Sequence, residues 1–279
     1  IHTLKKFLES VRLPDPLINM TDLVVGIKKV GQTPLSLIDE FRIEYPELKS
    51  KTIGYAGRLD PMAEGLVLLL LDEKNNERSR FERIRKVYET DVIFGLTSDT
   101  FDTLGIAKHG PNKQIPEEIL KQAISTLKGK QDHPYPPFSS PRVQGKALWQ
   151  WAKEGKISEI TIPSKQIEVY EAQLLQFYSI TSAKLLDHIT TNISLVAGDF
   201  RQDETIANWR KLLSEEKTYQ VASIRFDVSS GTYIRSLDNK LGQILGTGAL
   251  ALTIARKTIG KIELKSLEKF RFVTEEELF

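Results

Sequence analysis

The sequence contains no cysteine, which excludes disulfide bonds, thiolate metal ligands and cysteine nucleophiles. Its four histidines lie far apart without the spacing of metal ligands, so we expect no metal site. The longest apolar run covers only residues 66–71, far short of the roughly 20 residues that a membrane-spanning helix needs. The N-terminal residues also lack the basic and then apolar pattern of a signal peptide. We therefore expect a cytoplasmic protein whose chemistry rests on carboxylates, amines, hydroxyls or guanidinium groups.

Excess charge of either sign is also small, since 39 basic and 37 acidic side chains leave a net charge of +2. Bulk electrostatics therefore give no indication of a nucleic-acid partner. Locally, however, five of the nine residues from 78 to 86 are Lys or Arg. Two interpretations fit this stretch: a solvated helix face partly neutralised by Glu77 and Glu82, and a surface that follows phosphates.

Apolar spacing predicts strands and helices that alternate along the chain. The predicted strands include residues 23–30, 66–71 and 86–96, and the predicted helices include residues around 35–41, 116–127 and 147–153. In the second of these helices, Ile119, Ala123 and Leu127 form the predicted apolar face.

The second half of the chain gives the clearest strand, because residues 222–228 alternate strictly between apolar and polar side chains. Before it, Asp203 is the predicted cap of a helix that carries Ile206, Trp209 and Leu213 on one side. Some predicted strands are joined directly and others through helices. We therefore predict an α+β fold with a mixed, mainly antiparallel sheet and flanking helices.

A glycine-rich loop from Gly54 to Gly65 precedes one of the predicted strands. Its Asp60 comes directly before Pro61, which keeps Asp60 out of helical geometry and fixes the direction of its carboxylate. An aspartate presented in this way can act as a nucleophile or a base. It can equally cap a turn through its own backbone, a common role of Asp-Pro pairs.

The same loop resembles the signature of the TruB family of tRNA pseudouridine synthases. Matching positions are Gly54, Gly57, Leu59, Asp60, Pro61, Ala63 and Gly65. Further similar segments follow in the family's order, at residues 28–31, 86–88, 99–102, 136–146 and 231–235. The resemblance implies a pseudouridine synthase catalytic domain over residues 22–264 with an insertion near 182–218, preceded by an N-terminal extension at 1–21. Residues 265–279 would form a short C-terminal tail.

The resemblance implies a function as well: isomerisation of uridine to pseudouridine in RNA, most simply at position 55 in the T arm of tRNA. It assigns Asp60 as the catalytic carboxylate and Arg235 as its charge partner, which favours the ionised carboxylate. Tyr88 would stack on the uracil, Ile254 would line the uracil pocket, and Lys28 would support the site or contact phosphate. No cofactor is implied, and we expect a monomer.

The sequence departs from the family pattern in three places. Tyr55 stands where the family usually has a histidine, so base flipping or substrate choice would differ while the chemistry at Asp60 would not. The sequence ends shortly after residues 260–262, so we expect no appended C-terminal RNA-binding domain. The insertion, with Phe200, Arg201 and Trp209, would either replace that RNA-binding surface or only extend the scaffold.

Three other interpretations remain open. The first is a non-catalytic RNA-binding or RNA-folding protein on the same scaffold. The second is a glycoside hydrolase that uses Asp99 and Asp102, although their Thr-rich surroundings favour local hydrogen bonding. The third is a nucleotide-cofactor enzyme that uses residues 246–248, although these follow a helical rather than a strand-like stretch.

Overall fold

Residues 21–111 and 113–279 are described by the structure, which is a computed structural model. The predicted N-terminal extension, residues 1–21, lies outside the described residues apart from Thr21.

Fourteen strands occur in the described ranges. They are β1 (Leu23–Lys28), β2 (Ile53–Ala56), β3 (Ala63–Leu71), β4 (Lys86–Phe94), β5 (Leu96–Ser98), β6 (Ala107–His109), β7 (Gly129–Pro134), β8 (Arg142–Val143), β9 (Lys146–Ala147), β10 (Ser164–Thr181), β11 (Thr218–Val228), β12 (Ala249–Ile259), β13 (Ile262–Glu263) and β14 (Phe270–Phe272). The three strands predicted before residue 97 correspond to β1, β3 and β4, and the alternating segment lies in β11.

Eight α-helices accompany these strands over the same ranges. They are α1 (Pro34–Glu44), α2 (Arg78–Glu82), α3 (Glu117–Thr126), α4 (Leu148–Lys153), α5 (Ser182–Ser194), α6 (Gln202–Leu212), α7 (Ile234–Leu245) and α8 (Glu275–Leu278). The longest has 13 residues, and none in the described part of the chain is long and apolar enough to cross a membrane.

One large sheet organises the molecule, with the strand order β14-β1-β3-β12-β4-β11-β10-β7. Strand β13 pairs with β12, and β2 pairs with β3. All of these pairs are antiparallel except β3 with β12, which are parallel. The predicted α+β fold with a mixed, mainly antiparallel sheet is therefore confirmed. The parallel pair is the seam at which two antiparallel halves join.

Both faces of the sheet are covered near this seam, which explains the continuous apolar run in β3. Leu66, Leu68 and Leu70 pack into one core cluster, and Val67 and Leu69 pack into another on the opposite face. Helices α1, α3 and α7 cover the second face. Helices α5 and α6, from the predicted insertion, enclose a third cluster around the fully buried Trp209.

Two local predictions need correction. At α3, Ala123 and Leu127 are buried as predicted, but Leu120 and Ile124 complete the buried face and Ile119 is 49% exposed, because two overlapping rows of apolar residues satisfy helical spacing. Helix α6 begins at Gln202 with Arg201 at the N-cap, so Asp203 lies inside the first turn. An acidic residue there still favours the helix, since it lies near the positive end of the helix dipole.

The seam also explains a glycine of the loop. Gly65 lies opposite Arg256 in the parallel pair and has a φ of +109°, a conformation that L side chains rarely adopt. A Cβ atom on Gly65 would lie 2.3 Å from the carbonyl oxygen of Arg256. The two strands can approach closely because this position carries no side chain.

We expect Gly65→Ala to lower the free energy of unfolding more than Gly129→Ala does. Gly129 has a similar φ of +99°, but a Cβ atom there would meet nothing within 4 Å, so this variant isolates the backbone cost. The steric clash at Gly65 should add about 1–3 kcal/mol. Guanidinium unfolding of both variants measures the difference, and equal losses would show that the contact with Arg256 relaxes freely.

Candidate active site

A cleft of about 930 Å³ opens where the glycine-rich loop, β4, β12 and the start of α7 meet. The loop leads directly into β3, so the sheet fixes its exit point. Five of the six residues that the sequence predicted for the site line this cleft: Tyr55, Asp60, Tyr88, Arg235 and Ile254. The sixth, Lys28, lies beneath the loop and is fully buried.

Asp60 and Arg235 form an ion pair at the floor of the cleft. The Arg235 Nε atom donates a hydrogen bond of 2.8 Å to Oδ2 of Asp60. The Arg235 side chain is 4% exposed, whereas that of Asp60 is 37% exposed. No described residue donates a hydrogen bond to Oδ1 of Asp60. The carboxylate is therefore held by one oxygen and accessible from the cleft.

Asp102 is a second acidic neighbour of Arg235. Sequence reasoning missed this contact, because it considered Asp102 only for glycoside hydrolysis. Its Oδ2 atom lies 3.5 Å from Arg235 Nε, and its Oδ1 accepts hydrogen bonds from Thr100 and the amide of Leu104. Burial raises the pKa of Asp102, against the opposing effect of Arg235. Burial acts to lower the pKa of Arg235, but Asp60 and Asp102 outweigh it, so that pKa is raised and the guanidinium stays charged.

The remaining Arg235 nitrogens hold two backbone segments. Nη1 donates to the carbonyl of Thr100, and Nη2 donates to the carbonyl of Phe138 at 3.3 Å. A charged guanidinium whose three nitrogens each donate to an acceptor is fixed in angle as well as in position. Arg235 therefore connects the loop before β3, the segment after β5 and the proline-rich segment after β7.

Tyr88 is fixed by Arg256, a second residue that sequence reasoning missed. The strand register places Arg256 beside Tyr88 across β12 and β4, and its Nε donates to the Tyr88 hydroxyl at 2.9 Å. Arg256 also donates to the carbonyls of Gly57 and Arg58 in the loop. It is 1% exposed. A cation two residues after Ile254 was the available signal, because residues two apart on a strand share a face.

Lys28 supports the loop from below. Its Nζ atom donates to the carbonyls of Ala63, Lys29 at 3.0 Å and Pro61 at 3.4 Å. Burial lowers the pKa of Lys28 to about 7, against the opposing effect of the Asp60 carboxylate. Since its side chain is enclosed, the structure places Lys28 as a support for the loop and not on the phosphate-accessible surface.

Tyr55 and Ile254 lie at different depths of the cleft. Tyr55 is half-buried, and the Arg78 guanidinium lies over its ring at 5.2 Å from the centroid. Ile254 is 7% exposed and pairs with Ala63 across the seam, so it belongs to both the core and the cleft wall. Arg78 and Lys86 are the two ends of the basic stretch 78–86, and both line the cleft.

Positive charge dominates the cleft although the whole chain is nearly neutral. Eight of its lining residues are Lys or Arg, and four are Asp or Glu. Four of these cations make no ion pair with any described residue: the buried Lys86 and Arg256, and the more accessible Arg58 and Lys165. Such a surface favours a polyanion, and the potential is concentrated at the opening where a ligand would enter.

The residues of the two alternative enzyme classes have other roles. Asp99 accepts a hydrogen bond from the amide of Ile106 and pairs with Arg201, as local use of this acidic pair predicts. Gly246 is the left-handed C-cap of α7, so the segment 246–248 ends a helix rather than opening one. Neither arrangement supports glycoside hydrolysis or dinucleotide binding.

Comparison with known protein families identifies the family to which this chain belongs. The model of the TruB family pseudouridylate synthases (N-terminal domain) matches residues 46–198, more than half of the chain. The chain belongs to the TruB family. The tRNA pseudouridine synthase B of Thermotoga maritima is 28% identical over 255 residues, which cover 91% of this chain and 68% of that protein. The enzyme of the same name from Malacoplasma penetrans is 25% identical, with 91% of both chains covered.

A solved structure shares the TruB fold. A chain in the crystal structure of a Cbf5-Nop10-Gar1 complex superimposes with a TM-score of 0.54 at 16% identity, over 88% of this chain and 51% of that one. This TruB-family chain therefore spans about half the length of its solved structural neighbour. The likeness shows a shared fold.

The buried Lys28 should make stability depend on pH. The unfolded chain retains a lysine pKa near 10.5 and therefore binds more protons than the folded chain between about pH 7 and that value. The contribution of Lys28 to the free energy of unfolding then rises with pH across this window. Urea unfolding should show that wild type gains stability relative to Lys28→Met as the pH rises from about 7 to about 10.

Lys29→Met provides the control, because Lys29 is the exposed neighbour of Lys28 and its loss also removes one lysine. Its stability should follow that of wild type across the same window. Parallel curves for wild type and Lys28→Met would contradict the lowered pKa.

Proposed function

We propose that this protein isomerises uridine to pseudouridine in tRNA, with the T-arm uridine as its substrate and Asp60 as its catalytic carboxylate. The observation that carries the proposal is the Asp60–Arg235 pair, in which a buried arginine holds an accessible carboxylate at the floor of a basic cleft. The names of the TruB relatives, tRNA pseudouridine synthase B, support tRNA as the RNA.

The reaction breaks the N-glycosidic bond, turns the base and rejoins it to the sugar through a carbon atom. Asp60 supplies the carboxylate that acts on the base or on the sugar, and Arg235 orients this carboxylate through the hydrogen bond to its Oδ2 atom. Uridine supplies every atom of pseudouridine, so the isomerisation requires no oxidant, reductant or nucleotide energy.

Tyr88 supplies the surface on which the detached base is held. Arg256 anchors its hydroxyl, so the ring is held at a fixed angle in the cleft. Stacking on this ring offsets part of the cost of extruding a base from the RNA. Ile254, in the adjacent wall, provides an apolar contact for the uracil.

The charge of the cleft supports an RNA partner. Arg58 and Lys165 are cleft cations without ion pairs among the described residues, and they are suited to contact phosphates on either side of an extruded nucleotide. A monomeric enzyme acting on tRNA in the cytoplasm completes the proposal.

Asp60→Asn should abolish turnover and preserve RNA binding, because it removes the charge of the carboxylate and changes little volume. We expect the turnover rate on a T-arm RNA to fall by at least about a thousandfold, while the dissociation constant changes by less than about threefold. Mapping of pseudouridine in the product RNA and a filter-binding titration measure the two quantities.

Glu64→Gln is the matched control, since Glu64 is an exposed acid four residues further along and does not line the cleft. It should act like wild type. Retained turnover in Asp60→Asn would reassign the catalyst. Binding without product by wild type on several folded T arms would favour a non-catalytic RNA-binding protein instead.

Tyr55→His tests the departure from the family pattern. If extrusion of the base is slow because Tyr55 replaces histidine, this variant should act several-fold faster on a folded arm and no faster on an unstructured RNA. The gain corresponds to an activation free energy lower by about 1 kcal/mol or less. Tyr55→Phe keeps the ring under Arg78 and should leave both rates unchanged. Equal acceleration on the two RNAs would reject a role in base extrusion.

A further inference from the structure

Helix α6, from the predicted insertion, holds the segment between β5 and β6. The indole Nε1 of Trp209 donates to the carbonyl of Thr103 at 2.9 Å, and Asn208 accepts from the amide of Ala107 at 2.7 Å. Thr205 donates to the carbonyl of Leu104 at 3.3 Å. These contacts are to backbone groups, so they fix the path of the segment whatever its side chains are.

Arg201, directly before α6, extends this contact into the cleft. Its Nη1 donates to Oδ2 of Asp99 at 3.0 Å, and its guanidinium lies over the ring of Phe138 at 4.8 Å from the centroid. Arg201 and Phe138 both line the cleft. Arg201 therefore joins the segment after β5 to the proline-rich segment after β7.

These are the two segments that Arg235 holds. Arg235 binds the carbonyl of Thr100, the neighbour of Asp99, and the carbonyl of Phe138, whose ring lies under Arg201. Two arginines thus bind the same pair of segments. Arg235 binds their backbone carbonyl groups at the cleft floor, and Arg201 contacts their side chains further out. A displacement of either segment would move an acceptor of Arg235.

We propose that Arg201 is a positioning residue for the isomerisation: by holding Asp99 and Phe138 it fixes the carbonyl groups that orient Arg235, and hence the angle at which Arg235 holds Asp60. This inference rests on the proposed function. It assigns the insertion a role in arranging the catalytic pair, in addition to its role in extending the core.

The backbone of Arg201 supports this role. Its φ of 63° and ψ of 31° are left-handed, a conformation that is uncommon for a residue other than glycine. A glycine would adopt it without strain, so arginine at this position has a conformational cost. The side-chain contacts of Arg201 offset that cost in the folded protein.

Its contribution to overall stability should be small. The Arg201 and Asp99 side chains are 25% and 37% exposed, and partly exposed ion pairs contribute little to unfolding free energies. Arg201→Gly removes the side chain and relieves the backbone conformation together. This variant separates positioning from folding, because it should fold as well as wild type.

The experiment measures kcat and KM on a T-arm RNA, together with the melting temperature, for the full chain and its variants. Arg201→Gly should lower kcat about tenfold to a hundredfold, because a small displacement of a reacting group is costly. KM should change less than about threefold, and the melting temperature by less than about 3 °C. Arg201→Lys should recover part of the loss, since its ammonium can still pair with Asp99.

Two further variants sharpen the comparison. Arg210→Ala removes a positive charge from the exposed last turn of the same helix and should leave kcat and KM unchanged. Asp99→Asn retains the acceptor for Ile106 and removes the charge that Arg201 pairs with, so it should lower kcat as well. The double variant Arg201→Gly, Asp99→Asn should have a kcat no lower than that of the slower single variant, because both substitutions remove the same interaction between Arg201 and Asp99.

A rise in KM with kcat unchanged would overturn the inference and make Arg201 an RNA contact. A lower melting temperature with unchanged kcat would overturn it in favour of a purely structural role, as would no change in any quantity. The activity of wild type tests the proposed function separately. If wild type and Arg201→Gly are equally active, only the role of Arg201 is rejected. If wild type is inactive on T-arm RNA, the proposed function and the role of Arg201 are both rejected.

Discussion

Arg235 imposes the strongest constraint on the site, because a guanidinium that is almost fully buried must have an acceptor for each of its donors. Its acceptors come from the loop before β3 and from the segments after β5 and β7. Arg201 joins the last two of these segments a second time, through Asp99 and Phe138. Burial of one charge therefore determines how three loops arrange themselves around Asp60 and gives the cleft its floor.

The seam between β3 and β12 sets the position of that floor. Gly65 allows the two strands to approach, and Arg256 extends from the same seam to the loop carbonyls and to the Tyr88 hydroxyl. Tyr88 and Arg256 are thus attached to neighbouring strands, and Arg256 binds the loop that carries Asp60 to this sheet. Groups mounted on a sheet vary less in relative position, which suits a reaction that requires a base to turn and rejoin the same sugar.

The sequence allowed much of this architecture to be predicted. Period-two alternation indicated the antiparallel strands, and the framing of Asp60 by glycines and Pro61 indicated a shaped loop. The contacts of Asp102 with Arg235 and of Arg256 with Tyr88 were missed, because spacing along one sequence does not show which distant residues meet. Their partners lie far away along the chain, 168 residues in the pair of Arg256 with Tyr88. The α3 face was misjudged for a simpler reason, since two apolar rows share one helix.

The long separation in sequence between Arg256 and its hydrogen-bond partners also affects how the chain folds during its synthesis. Arg256 and the carbonyl of Gly57 that it binds are 199 residues apart, so the glycine-rich loop emerges from the ribosome long before β12 exists. Contacts of such separation form late in folding, because a long loop must first close. A nascent chain that already contains Asp60 thus has no anchored Tyr88 hydroxyl and no seam until Arg256 has been synthesised.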